Sequence, residues 1–391
     1  MKVITEIVFW LSVGLIFHSY VIFPVVLSLL SRIRKQVKNQ SSNSDAVFIS
    51  ILMSAYNEEK LIEEKINSIL SSDFDQKYYE ILVGSDCSDD QTDKILTRLS
   101  RLHPDILRFY PFSIRQGKPN IINQLIASAK GEILVLTDAN VIFDKSTLKE
   151  LINPFTDIEV GLVDTQMINK GARQTGISMQ EKAYISREVA IKHHESTLWG
   201  TMMGPFGGCF AIRKTLFEPV PYNYLVDDFY LNMVVLEKGF KAINNPEAFV
   251  FEDVSNDLSI EYRRKVRIAT GNFQNLFRFW KLLLPPWSGL AFSFLSHKVI
   301  RWTGPFLFLF AFISLVYLSI GSLFYFVLLT SYAGLLIIPV FDYFLKKVNI
   351  HIYLFRFITH FCAMNLALFI GFIRYGKGVK SNVWEPTKRN Q

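Results

Sequence analysis

The charge-free stretch between Glu6 and Arg32 constrains this chain more than any other feature. Residues 7–31 run from Ile7-Val8-Phe9-Trp10 to Leu29-Leu30-Ser31. A helix of about 20 apolar residues crosses a bilayer, so this run spans with some tilt. It is too long for a signal peptide, and no small-x-small cleavage pattern precedes the charges that follow. Lys2 alone stands before the run, whereas Arg32, Arg34, Lys35 and Lys38 come after it. The positive-inside rule then sets the N-terminus outside and the next segment in the cytoplasm.

The far end of the chain is apolar again. Trp302 to Phe341 carry no charge, which at 1.5 Å per residue is about 60 Å of helix, two crossings with a turn near Gly321. A third run, Phe357 to Ile373, lies between Arg356 and Arg374 and is either a span or a re-entrant or interfacial segment. Leu282 to Ile300, with Trp287, Phe292, Phe294 and Leu295 beside His297 and Lys298, reads as an amphipathic helix on the membrane surface. Three C-terminal spans would send Lys377, Lys380, Lys388 and Arg389 outside, against the charge rule; two or four would keep them inside.

Charged residues are 20% of the chain against roughly 25% in soluble domains, and half the residues are hydrophobic. Disordered and nucleic-acid-binding tails are charge-rich and poor in aromatics, so both classes are excluded and no nucleic-acid partner is expected. The net charge of +7 suits anionic lipid or an anionic ligand. Cys87, Cys209 and Cys362 are too few and too scattered for a disulfide framework, which points to a reducing compartment.

Between the apolar ends the pattern is that of a soluble α/β domain. Val47–Met53, Tyr79–Gly84, Ile106–Tyr110 and Glu132–Thr137 read as strands. Helices follow through Leu61, Ile62, Ile66 and Ile69, from Asp90 to Leu99, and from Pro119 to Ala129. Such alternation implies a parallel sheet with ligands at the carboxyl ends of its strands. The expected divisions are 1–38 (transmembrane helix and basic flank), 39–280 (cytoplasmic α/β domain), 281–301 (interfacial helix), 302–374 (transmembrane segments) and 375–391 (basic tail).

Four polar motifs fall at those strand ends: Ala55-Tyr56-Asn57-Glu58-Glu59, Ser85-Asp86-Cys87-Ser88-Asp89-Asp90, Arg115-Gln116-Gly117-Lys118 and Thr137-Asp138-Ala139-Asn140. Each taken singly is an ordinary polar loop or helix cap. Together they are a site, because carboxylates at neighbouring strand ends repel unless they bind a cation or accept from a ligand. Lys118 adds a point charge for phosphate oxygens. Neither a Gly-x-Gly-x-x-Gly turn nor a P-loop is present.

The set resembles a family 2 glycosyltransferase of the GT-A (nucleotide-diphospho-sugar transferase) fold, and the flanking apolar helices resemble its cellulose-synthase-like membrane branch. The resemblance implies that Tyr56, Glu58 and Asp86 cradle the base and ribose of a nucleotide-sugar donor, with Lys118 close by. It also implies that Asp138 and Asn140 hold Mg²⁺ or Mn²⁺. Where the family has Asp-x-Asp this chain reads Asp138-Ala139-Asn140, one negative charge short. Tyr224-Leu225-Val226-Asp227-Asp228 resembles the family's Thr/Glu-Glu/Asp-Asp motif, so Asp228 is the implied general base on the acceptor hydroxyl, with Asp227 beside it. Arg267 matches the arginine of the synthases' Gln-Gln/Arg-x-Arg-Trp and would neutralise the leaving diphosphate. Ile268 replaces the tryptophan that stacks on the acceptor sugar. Gly207, Gly208 and Cys209, in Gly204-Pro205-Phe206-Gly207-Gly208-Cys209-Phe210, match the acceptor side. His193-His194 reads as a surface pair.

The resemblance thus implies an inverting transferase at the bacterial plasma (inner) membrane, multi-pass, with its catalytic domain cytoplasmic. It would move a sugar, UDP-linked by expectation, to a lipid-linked or glycan acceptor in cell-surface glycan or exopolysaccharide assembly. Two alternatives stand: a processive β-glycan synthase that extrudes its polymer, and a catalytically inactive membrane scaffold or nucleotide-sensing transporter.

Overall fold

The computed structural model describes residues 1–33, 47–170, 178–253, 258–348 and 350–383. Eight strands form one sheet: β1 Ile49–Ala55, β2 Tyr79–Asp86, β3 Leu107–Phe112, β4 Ile133–Asp138, β5 Ile142–Phe143, β6 Val160–Lys170, β7 Cys209–Arg213 and β8 Lys241–Asp253, in the order β3-β2-β1-β4-β7-β6-β8-β5. The first four are parallel, as their continuous apolar runs require of strands buried on both faces. Ile51, Met53 and Val83 pack on Ile62, Ile66 and Leu96 on one side. Leu52, Leu82 and Leu134 pack on Ile121 and Leu125 on the other. Each such side chain, fully buried, contributes about 1.5–3 kcal/mol.

The sheet is not parallel throughout. β7 runs antiparallel to both β4 and β6. The chain enters β7 beside Thr137, at the carboxyl end of β4, through the Gly204–Gly208 turn instead of crossing back over the sheet. That turn therefore lies at the same edge as the four polar motifs.

Among the described residues, three helices are long and apolar enough to cross a membrane: Lys2–Ile33, Leu323–Lys347 and Tyr353–Gly376. Gly289–Trp302 and Gly304–Ser319 form a pair bent by 63°, which would be a fourth span if continuous. The break between Gly304–Ser319 and Leu323–Lys347 falls at Gly321, where the sequence places it.

The single amphipathic helix expected over Leu282–Ile300 is broken. Pro285 and Pro286 lack the N–H groups a helix needs, so one turn at Trp280–Leu283 stops and a new helix starts at Gly289, its first turn capped by Ser288 accepting from Ala291 N. This helix is wedged between the sheet domain and the N-terminal helix, with Phe294 and Trp302 buried around Phe229.

A buried polar cluster fastens that junction. His297 Nδ1 lies 2.8 Å from Glu195 Oε1, and its Nε2 2.9 Å from Glu188 Oε2. Arg301 pairs with Glu188 and reaches Ser19 of the N-terminal helix. Burial pushes the Glu188 carboxyl up, but the charges of His297, Lys298 and Arg301 together outweigh it and hold the group well below its usual range. His193 and His194 are half-buried in this region, not free at the surface: His194 Nδ1 meets Ser31 Oγ at 2.9 Å.

The last helix packs on the sheet domain through Phe372 against Phe273 and Tyr375 stacked on Phe277. Asn223 Nδ2 then donates to Val379 O, and Asn382 and Val383 line the cleft at the strand ends. Residues 379–383 are thus on the same side as that cleft. Asn365, at mid-helix, donates to Phe361 O of its own helix.

Candidate active site

The cleft is an open cavity of about 430 Å³ at the carboxyl ends of β1, β2 and β4. Tyr56, Glu58, Asp86, Lys118, Asp138, Asn140, Gly207, Asp227, Asp228 and Arg267 all line it. The loop after β1 and the loop after β2 hold each other: Asp89 N donates to Asn57 Oδ1 and Glu58 N donates to Thr92 Oγ1. Asn57 and Cys87 take positive φ, so both chains turn sharply out of their strands. Arg115 lays its guanidinium 3.6 Å from the centre of the Tyr56 ring, a flat cationic wall where a base can stack.

Asp86 accepts from Gln116 N at 2.6 Å and Gly117 N at 2.8 Å, so its carboxylate braces the next motif. Gly117 has φ +85°, and a Cβ there would lie 2.2 Å from Asn382 Oδ1. That turn aims Lys118 into the cleft, where its ammonium donates to Asp138 Oδ1 at 2.6 Å and stands 3.8 Å from Asp227 Oδ2. Burial pulls the ammonium pKa down, but the charges of Asp138 and Asp227 outweigh it and the net shift is upward.

Asp227 and Asp228 open the Asp227–Glu237 helix, whose next residues are fully packed in the core. The walls of the cleft enclose the partly buried Asp228 carboxyl. This desolvation first, and the neighbouring Asp227 charge second, push it up to about 6 against the pull of Lys118. A carboxylate there is a base matched to neutral pH. Arg267 comes from the Leu258–Arg278 helix and donates to Leu225 O at 2.9 Å, two residues before Asp227.

Two expected residues lie elsewhere. Gly208 does not line the cleft; its Cα faces Met167 and Val141, and its carbonyl accepts from Asp138 N at 2.9 Å, which pins the glycine turn to β4. Cys209 is fully buried in β7, where desolvation pushes its thiol up to about 12. Only Gly207 of that trio reaches the cavity.

Sequence reasoning missed Lys65 and Glu252. Lys65 is fully buried beneath the Asp138–Asn140 loop, donating to Thr137 Oγ1 at one end and Val141 O at the other, and burial lowers its pKa to about 7. A signal existed: Lys65 sits on the core stripe of Ile62, Ile66 and Ile69, where a charge has no business without a buried role. Glu252, near the end of β8, accepts from Asn140 Nδ2 at 2.9 Å and lines the cleft.

Residues 50–220 match the family model described as Glycosyl transferase family 2. That stretch is a family 2 glycosyltransferase domain. The chain is 26% identical over 243 residues to a beta-monoglucosyldiacylglycerol synthase of Trichormus variabilis, covering 61% of this chain and 51% of that protein. It is 24% identical over 251 residues to a poly-beta-1,6-N-acetyl-D-glucosamine synthase of Staphylococcus epidermidis, covering 62% and 59%. The match therefore spans little more than half the length of these curated relatives. Among solved structures, a mannosyltransferase of Pyrobaculum calidifontis in complex with GDP-Man and Mn²⁺ aligns over 94% of this chain and 98% of its own, with TM-score 0.71 and 20% identity. The glycosyltransferase domain has the GT-A fold, flanked by apolar helices.

The donor set fits a hard divalent cation. Asp138, Asn140 and Glu252 offer oxygen only, the chemistry Mg²⁺ and Mn²⁺ take. Among the described residues no three His, Cys, Asp or Glu side chains converge tightly enough to hold a metal by themselves. Such a site needs further oxygens, and Mg²⁺-type sites ordinarily draw these from the phosphates of the substrate.

Proposed function

We propose that this protein is a membrane-bound inverting glycosyltransferase that moves a sugar from a nucleotide diphosphate to a lipid-linked or glycan acceptor. The observation that carries the reading is the convergence of Lys118, Asp138, Asp227 and Asp228 in one cleft, with the Asp228 carboxyl raised to about 6.

In this mechanism the Tyr56–Arg115 wall and Glu58 hold the nucleoside, and Asp86 acts by fixing the Gly117 turn. Lys118 exchanges its contact with Asp138 for the diphosphate of the donor. Mg²⁺ or Mn²⁺, held by Asp138 and Asn140, would supply Lewis-acid charge at that diphosphate. Asp228 takes the proton of the acceptor hydroxyl as its oxygen bonds to the anomeric carbon. The bond from that carbon to the diphosphate breaks, the electron pair leaves with the nucleotide, and Arg267 balances the charge. A single displacement inverts the anomeric centre, so an α-linked donor gives a β-glycoside.

A uridine nucleotide is the expected donor, and cell-surface glycan or glycolipid assembly the expected role. Ile268 lines the cleft where the resemblance to processive synthases calls for tryptophan, which favours limited addition over extrusion of a polymer. The basic flank after the first helix supports a cytoplasmic catalytic domain at a bacterial inner membrane. Residues 379–383 lie on that domain's side, which supports an even number of crossings after it.

The test is nucleotide release by detergent-purified protein across UDP- and GDP-sugars, with and without Mn²⁺, in the presence of extracted lipid acceptors. Metal-dependent turnover of one donor is expected. Donor binding without turnover of any sugar would favour the inactive scaffold.

A further inference from the structure

The Asp138-Ala139-Asn140 loop is one carboxylate short for a divalent cation, and that deficit is sharper than the sequence suggests. Lys118 already lies 2.6 Å from Asp138, so the loop's single negative charge is matched by an ammonium. An amide and a neutralised carboxylate would give a divalent ion little to bind. The fold brings another carboxylate to the loop. β5 begins directly after it and pairs antiparallel with the end of β8, Ile142 opposite Phe251. Glu252, the next residue, therefore stands beside the loop and accepts from Asn140 Nδ2 at 2.9 Å. Both side chains line the cavity. Because Asn140 donates to Glu252 through nitrogen, its other polar atom, the carbonyl oxygen, is the one left to act as a ligand.

We propose that Glu252 supplies the second carboxylate of the metal site, so that the charge lost at Asn140 is restored from β8. Glu252 acts directly as a ligand. The proposal rests on the nucleotide-sugar reading given above and names the chain's own means of holding the metal. It also explains how a family 2 domain tolerates an amide at that position: the carboxylate has moved from the loop to the neighbouring strand.

The test measures Mn²⁺ affinity in the presence of saturating UDP or GDP, by calorimetry or by the loss of the free-Mn²⁺ paramagnetic resonance signal. Glu252→Gln is expected to weaken Mn²⁺ at least tenfold while nucleotide binding without metal stays unchanged. Asn140→Asp added to Glu252→Gln is expected to bring Mn²⁺ affinity back to within about threefold of the starting protein. Unchanged Mn²⁺ affinity in Glu252→Gln, or a loss that Asn140→Asp does not repair, overturns the proposal alone. If the unaltered protein takes up no Mn²⁺ with either nucleotide, the metal-assisted donor reading falls with it. Should Glu252→Gln fail to fold, Asn140→Asp by itself decides. A gain under threefold supports a site already supplied by Glu252, whereas a gain above tenfold means Glu252 was a bystander.

Discussion

The Asp228 carboxylate lies against the Cα of Gly207, so close that a Cβ at position 207 would stand 2.4 Å from Oδ2. Gly207 also has φ +83°, a backbone region that side chains rarely adopt. The glycine turn and the start of the Asp227–Glu237 helix therefore meet with no room between them. Gly207→Ala is expected to displace Asp228 from its place and lower kcat by 10-fold or more. Binding of the nucleotide, whose base is assigned to the Tyr56–Arg115 wall, should change far less. Measuring kcat beside nucleotide affinity in the variant checks this.

The elevated Asp228 pKa sets a pH profile. A base works ionised, so kcat/KM should rise with pH through about 6 and level off above it. Burial contributes first and Asp227 second, so Asp227→Asn removes only the second push, and the acid limb should move to lower pH while its shape stays. The sign for stability is opposite. A carboxyl raised in the folded state favours folding below its unfolded pKa, and that contribution is lost as pH climbs through the folded value near 6. Asp228→Asn should consequently raise the unfolding temperature at pH 7.5 relative to the unaltered protein, and by less at pH 4.

Asp86 makes a separate prediction, because both its oxygens are occupied by backbone N–H groups of Gln116 and Gly117. Asp86→Asn would turn one acceptor into a donor against a donor, at a cost of about 1–3 kcal/mol. The Gly117 turn that aims Lys118 should loosen, and donor affinity should fall together with thermal stability. Calorimetric nucleotide binding and a melting curve on the same variant test the coupling. Loss of affinity with full stability would mean that Asp86 meets the ligand directly.

Much of this arrangement is legible in the residues. The first four strands are continuous apolar runs bounded by turn signals, and burial on both faces of a parallel sheet demands that pattern. Tyr56, Glu58, Asp86, Lys118, Asp138 and Asp228 carry charge or ring at strand or helix ends, and all line one cleft. The direction of β7 is not legible, since it depends on where the Gly204–Gly208 turn delivers the chain, and a local pattern does not encode that. The helix over Leu282–Ile300 breaks at Pro285-Pro286, a signal present in the sequence but outweighed by its apolar periodicity. Glu252, Glu188 and His297 acquire meaning only through partners from other strands and helices, so no spacing rule could find them.

Catalysis by Asp228 is the centre of the account, and one comparison reaches it directly: turnover of the identified donor by the unaltered protein and by Asp228→Asn, each with nucleotide affinity measured on the same preparation. Turnover should fall by about 10²–10⁴-fold, as expected of a lost general base, with nucleotide affinity within about twofold. Near-full turnover in Asp228→Asn would contradict the assignment and send the search for the base elsewhere in the cleft.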